Sequence, residues 1–126
     1  MRDGRARYVL VAAAAVLVLV AVLAFRGDGL DNRSPEAVAA LYVKAMVTGD
    51  SALMDKINRS GPLEFPTDML MQDAVDYNWA QYDLAKFAYR RLPDGNVVEI
   101  IFPDGRTERI RTVAENGRWY FAGRCW

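Results

Sequence analysis

The chain has 126 residues, with 16 Lys plus Arg balanced by 16 Asp plus Glu, no His and a single Cys, Cys125. Without His, a His-ligated zinc or haem site and imidazole acid–base chemistry are excluded, and one Cys excludes an internal disulfide framework. The length allows one short segment and one small domain, and no metal or cofactor is expected.

The first feature in chain order is Tyr8 to Phe25, YVLVAAAAVLVLVAVLAF, eighteen residues without a charge. As a helix it would extend roughly 27 Å, close to the thickness of a bilayer's hydrocarbon core. Arg2, Arg5 and Arg7 precede it, which orients residues 1–7 to the cytoplasm and the rest of the chain outside. A cleaved secretory signal is the rival reading, with Val22-Leu23-Ala24 as the cleavage pattern. The run exceeds the roughly 7 to 15 apolar residues of such a signal, which favours an uncleaved anchor. The expected organisation is a cytoplasmic N-terminus at 1–7, a transmembrane signal anchor at 8–25, a linker at 26–33 and an extracytoplasmic domain at 34–126.

Three Arg and one Asp precede the apolar run, so 13 of the 16 basic and 15 of the 16 acidic residues follow it, a net charge near −2. That balance gives no case for nucleic acid as a partner. The linker, RGDGLDNR, is rich in Gly and Asp and keeps the domain within roughly 27 Å of the membrane. Asn32-Arg33-Ser34 and Asn58-Arg59-Ser60 match the glycosylation sequon and are read as coincidence.

Ser34-Pro35-Glu36 predicts a helix start: Ser caps, Pro suits the first helical position, and Glu favours the positive end of the helix. Val38, Leu41, Tyr42, Ala45 and Met46 recur on one face, and Gly49 ends the helix. Asp50 or Ser51 caps a second, short helix with Leu53, Met54 and Ile57 as its apolar positions, broken at Gly61-Pro62. Thr67 is expected to cap a third helix, Asp68 to about Val75, amphipathic through Leu70, Met71, Ala74 and Val75.

Past Asn78 the periodicity becomes that of strands. Ala85, Phe87 and Tyr89 alternate with Lys86, Ala88 and Arg90. Pro93-Asp94-Gly95-Asn96 turns into a second strand from Val97 to Phe102. Pro103-Asp104-Gly105 turns again into a third, Thr107 to Ala114. Asn116-Gly117 is a hairpin signal leading to a fourth, Arg118 to Ala122. The expected fold class is α+β: two or three helices packed on a curved antiparallel sheet of about four strands, behind an N-terminal transmembrane helix.

SPEAVAALYVKAMVTGDSALM resembles the opening of nuclear-transport-factor-2-like (cystatin-like) domains, with a capped helix, a central aromatic, a Gly-Asp break and a short second helix. ENGRWYFA resembles the last hairpin of the same superfamily. The resemblance covers Ser34 to Trp126. It implies a cone between helices and sheet, and it is similar to small bacterial exported members behind one anchor, including lumazine-binding-like and conjugation-associated ones.

That superfamily includes isomerases and dehydratases whose site lies in the cone. With no His, the dehydratase-type Asp-His pair cannot be assembled, and Glu99, Glu108, Asp83 and Tyr42 remain as candidate pocket groups. If Val98, Ile100 and Phe102 face the core, Glu99 faces outward. No catalytic residues are assigned, and the protein is expected not to be an enzyme. Tyr42, Phe87, Tyr89 and Trp119 are the candidate ligand-lining residues, against the reading that they are plain core. Arg109 and Arg111 share a strand face with Arg106 and Arg118 nearby, either a basic contact surface or a solvated face. Cys125 is either an incidental small hydrophobe or the site of an intermolecular disulfide.

The expected function is a membrane-anchored extracytoplasmic interaction or assembly domain, accessory to a bacterial envelope, secretion or conjugation complex, with a protein partner or a second copy. The alternatives are a binder of small apolar ligands and, third, an isomerase-like enzyme. The three differ in what they require: a closed interior, a cavity of a few hundred Å³, or such a cavity with a carboxylate pointing into it.

Overall fold

The computed structural model describes residues 30–61 and 64–125. The expected membrane span, Tyr8–Phe25, lies outside them. Among the described residues no helix is long and apolar enough to cross a membrane. Contacts divide the chain after Asp31, and the domain is the unit that begins at Asn32.

The domain is α+β. Helix α1 (Pro35–Thr48) starts as the sequence predicts: the Ser34 side chain accepts the Ala37 N–H at 3.1 Å. Gly49 ends it at φ 69°, where the Asp50 N–H reaches back to the Ala45 carbonyl at 3.0 Å. Asp50, rather than Ser51, caps α2 (Ser51–Ile57) by accepting the Leu53 N–H at 3.0 Å. Helix α3 (Thr67–Asp76) departs from expectation at its start. Pro66 occupies the cap position, and the Thr67 hydroxyl instead donates to Asp55 on α2. Val75 is 74% exposed. Lying five residues after Leu70, it is turned well away from Leu70's buried side of a 3.6-residue helix.

Two 3₁₀ turns follow, Trp79–Gln81 and Leu84–Lys86. The second replaces the start of the expected first strand, so that Phe87 precedes the strand instead of sitting within it. The sheet is a four-stranded antiparallel meander of β1 (Ala88–Arg91), β2 (Val97–Ile101), β3 (Thr107–Glu115) and β4 (Arg118–Cys125), in that spatial order. Asn116 and Gly117 adopt φ 53° and 78° in the last hairpin, the left-handed pair that an Asn-Gly turn is suited to supply.

Helix α1 lies across the sheet and contacts all four strands. Its Val38, Ala39, Tyr42, Val43, Ala45 and Met46 are buried together with Met54, Ile57 and Leu70 of the other helices. The sheet supplies Val98, Ile100, Ile110 and Phe121 to the same core. The buried face of α1 is wider than the periodicity suggests, taking in Ala39 and Val43 while Leu41 is only partly covered. Tyr42 stacks on Phe121 with centroids 4.9 Å apart and meets Trp79 edge-on at 6.0 Å.

The edge strand β4 is tied down on its outer side. The Asn32 side chain donates to the Trp119 carbonyl at 2.9 Å, and the Trp119 N–H returns to the Asn32 carbonyl at 2.8 Å. The Arg59 N–H takes the Phe121 carbonyl at 2.7 Å. Both sequon asparagines are thereby explained as structural: Asn32 binds Trp119, and Asn58 bonds the Phe65 carbonyl and Ser60. Covered backbone groups remove the hazard of an open edge.

On the solvent side of the sheet, Glu99 sits between Arg90 and Arg109, its register partners on either side, at 2.8 and 3.2 Å. It faces away from the core as alternation requires, yet these two side chains leave it only 8% exposed.

Candidate functional site

Between α3, the Trp79 turn and the open ends of β3 and β4 lies a cavity of about 540 Å³. Strand β4 reaches it through a bulge. Pairing with β3 shifts between Arg111 and Thr112, so that Arg111 faces Gly123 while Thr112 faces Phe121, leaving Ala122 as the extra residue. One extra residue inverts the alternation. Phe121 and Arg124 therefore both point inward, where unbroken alternation would have sent Arg124 to solvent.

Arg124 is 8% exposed and organises the cavity wall. Its Nε donates to the Tyr42 hydroxyl at 2.9 Å and lies 3.2 Å from Glu108 Oε1. Its Nη1 donates to Asp73 Oδ2 at 2.7 Å. Three elements thus converge on one guanidinium: α1 through Tyr42, α3 through Asp73 and β3 through Glu108. Burial opposes its charge, but the Tyr42 oxygen and the two carboxylates outweigh burial and hold the guanidinium more firmly protonated than usual.

The partners respond in turn. Burial pushes the Tyr42 hydroxyl far above its ordinary range, with the Glu108 charge adding to the effect. Burial also raises Glu108 above the usual carboxylate value, against the pull of Arg124 and Arg106. Glu108 Oε1 faces Arg124, whereas Oε2 is buried without a hydrogen-bond partner among the described residues. A buried polar atom without a partner is uncommon and calls for an explanation.

Trp79 and Phe102 form the apolar wall, their centroids 4.9 Å apart, and Tyr77 stands at the mouth. Arg106 lies over the Phe102 ring at 4.4 Å and donates to the Tyr82 hydroxyl at 3.2 Å. Among the described residues no group of three or more metal-ligating side chains comes together.

The four aromatics named from the sequence do not form this wall. Tyr42 is fully buried behind it, reaching the cavity only through Trp79 and Arg124. Phe87 packs behind Phe102 at 5.1 Å and is core. Tyr89 is half-buried on β1, where burial raises its hydroxyl to about 12. Trp119 sits at the hairpin end of β4, five residues from Arg124. Of the candidate chemical groups, Glu108 and Tyr42 belong to the cluster. Asp83 instead caps the second 3₁₀ turn through the Ala85 N–H at 3.0 Å.

Asp73, Trp79, Phe102 and Arg124 are the wall residues that sequence reasoning missed as site groups. Two signals pointed to them. Gly123 lies just past the expected end of the fourth strand at Ala122; with β4 running on to Cys125, a Gly within it marks a bulge and hence a change of face. Leu70, Asp73, Ala74 and Tyr77 follow the spacing of one helix face, which sets an acid on an otherwise apolar stripe.

No protein-family model matches the chain, and comparison with curated proteins and with solved structures finds no match.

Proposed function

We propose that the domain binds a small molecule in the cavity between α3 and the open end of the sheet, without chemical turnover. The observation that carries this reading is Glu108 Oε2, buried on the cavity wall without a hydrogen-bond donor among the described residues while the other oxygen is held by Arg124. A volume of about 540 Å³ suits a compact ligand, and the mixture of aromatic wall with a few fixed polar groups is the composition of small-molecule sites. Catalysis fits less well. Glu108 would supply a base, but the Tyr42 hydroxyl is sealed behind Arg124 and offers no second proton-transfer group to the cavity.

The anchor reading belongs to the same proposal. The charge-free run Tyr8–Phe25 with its preceding arginines supports a single-pass membrane protein whose domain lies outside the cytoplasm. The nuclear-transport-factor-2-like resemblance, carried by SPEAVAALYVKAMVTGDSALM and ENGRWYFA, is part of the same proposal.

A ligand-observed NMR screen with neutral, acidic and basic fragments tests the binding reading, using wild type and Thr107→Trp, which places an indole in the cavity mouth. Binding by wild type and loss in the filled variant at unchanged melting temperature is the expected result. Fragments that bind both proteins equally, or none that bind wild type, would sink it.

The assembly reading retains one supporting observation. Val75 and Tyr77, on different sides of the end of α3, are 74% and 63% exposed. In-cell crosslinking of wild type against a Val75→Glu, Tyr77→Glu variant tests it. A partner or dimer captured by both proteins alike would remove those two residues from the interface.

A further inference from the structure

One guanidinium on the cavity wall has no carboxylate in salt-bridge contact among the described residues, and it points to the ligand. Arg106, Arg109 and Arg124 line the cavity against Asp73 and Glu108. Arg124 is committed to both of those carboxylates. Arg109 is engaged by Glu99, which lies on the other face of the sheet. Arg106 is different: among the described residues no carboxylate lies in salt-bridge contact with it, and its guanidinium donates to a neutral hydroxyl, that of Tyr82. Asp104 is nearby, but its oxygens take the Tyr82 O–H at 3.0 Å and the Arg106 backbone N–H at 3.0 Å.

Arg106 is also held in position. The ring of Phe102 underlies it at 4.4 Å and Tyr82 fixes one of its N–H groups. A planar guanidinium kept in place at the rim of an aromatic-walled cavity is suited to forked recognition of a carboxylate. Deeper in, Glu108 Oε2 requires a donor. Between these two points the wall is Trp79 and Phe102, each only 3% exposed, and an aromatic wall favours a flat ring over a branched chain.

We infer that the cavity takes a small planar carboxylic acid that carries an N–H or O–H donor: the carboxylate meets Arg106, the ring lies against Trp79 and Phe102, and the donor completes Glu108. This deepens the binding reading above and rests on it. A cationic ligand would satisfy Glu108 but would enter past the Arg106 guanidinium, which has no carboxylate in salt-bridge contact among the described residues. A neutral apolar one would cover Arg106 and leave it without an anion.

The test uses three probes that share one ring and one N–H donor and differ in charge: indole-3-acetate, indole-3-acetamide and tryptamine. Each is titrated into the full chain while the Trp79 indole N–H and Arg106 Nε–H resonances are followed by NMR. The acid is expected to shift both resonances and to bind about tenfold or more tighter than the amide, with the amine weakest. Arg106→Gln should bring the acid down to the affinity of the amide and leave the amide unchanged. Amide or amine binding as tightly as the acid, with Trp79 still shifting, would overturn the acid class and leave the cavity as a binding site. No shift of Trp79 with any of the three would overturn both.

Discussion

Arg124 Nε donates to the Tyr42 hydroxyl at 2.9 Å, joining residues 82 positions apart. The bond fastens the last strand to the first helix inside the core, and the same guanidinium carries Asp73 and Glu108. Removing it would strand two carboxylates and a phenol in a partly dry site. Arg124→Ala is therefore expected to destabilise the domain by about 3–5 kcal/mol, the cost of breaking a buried ion pair from one side. Arg124→Lys should recover little of this, because a single ammonium cannot reproduce the forked geometry. Chemical denaturation of the three proteins checks both statements, and a Lys variant as stable as wild type would refute the geometric argument.

Tyr42 separates packing from hydrogen bonding. Its ring stacks on Phe121 and meets Trp79, so Tyr42→Ala should cost about 3–5 kcal/mol. Tyr42→Phe keeps the ring and loses only the acceptor for Arg124, an expected cost of about 1–2 kcal/mol. Equal losses in the two variants would mean that the hydroxyl, not the ring, holds this part of the core.

Glu108 should make stability depend on pH in an identifiable direction. Burial raises its pKa in the folded state above the ordinary 4.5. A carboxyl raised on folding stabilises most fully below its unfolded pKa, and that contribution is lost as pH rises through the folded pKa. Arg124 and Arg106 limit the rise, and Asp73 adds to it. The melting temperature of wild type relative to Glu108→Gln should therefore fall as pH climbs upward from about 4.5. A difference that grows with pH would show that the ion pair with Arg124 outweighs burial.

How much of this was legible in the chain varies with the distance over which each feature is determined. Ser34, Asp50 and Gly49 act on hydrogen bonds within a few residues, and the structure places them where the helix signals require. The Asn116-Gly117 hairpin is equally local. The cavity wall is not. Arg124 turns inward because Ala122 is an extra residue opposite β3, a fact about pairing between strands. One alternating pattern takes in both Phe87 and Tyr89, but the 3₁₀ turn at Leu84–Lys86 places Phe87 outside the strand. Trp119 carries the right ring at the wrong end of β4, since alternation reports which face a residue occupies and not where along the sheet the layers part.

The bulge itself yields a prediction. Gly123 has φ 127°, and a Cβ there would come within 3.2 Å of the Phe65 ring and 3.4 Å of Arg111 Nη2. Gly123→Ala is expected to cost about 1–3 kcal/mol through backbone strain and displacement of Phe65. Should the bulge relax to regular pairing instead, Arg124 would be turned out of the cavity. The Trp79 resonance would then move with the melting temperature, whereas strain alone would leave it in place.

The outer face provides the contrast that tests how the inner cluster is read. Glu99 has two arginine partners, as Asp73 and Glu108 share one, but Arg90 and Arg109 keep 64% and 54% of their side-chain surface exposed. Solvent-screened pairs of this kind contribute about 0–1 kcal/mol. Glu99→Gln should therefore change stability by less than about 1 kcal/mol, and Glu99→Val is expected to be neutral or stabilising in a strand whose neighbours are Val98 and Ile100. Denaturation in low and high salt checks this. A loss of several kcal/mol for Glu99→Gln, comparable to that for Arg124→Ala, would mean that the arginine ladder across the sheet is as integral to the fold as the buried cluster beneath it.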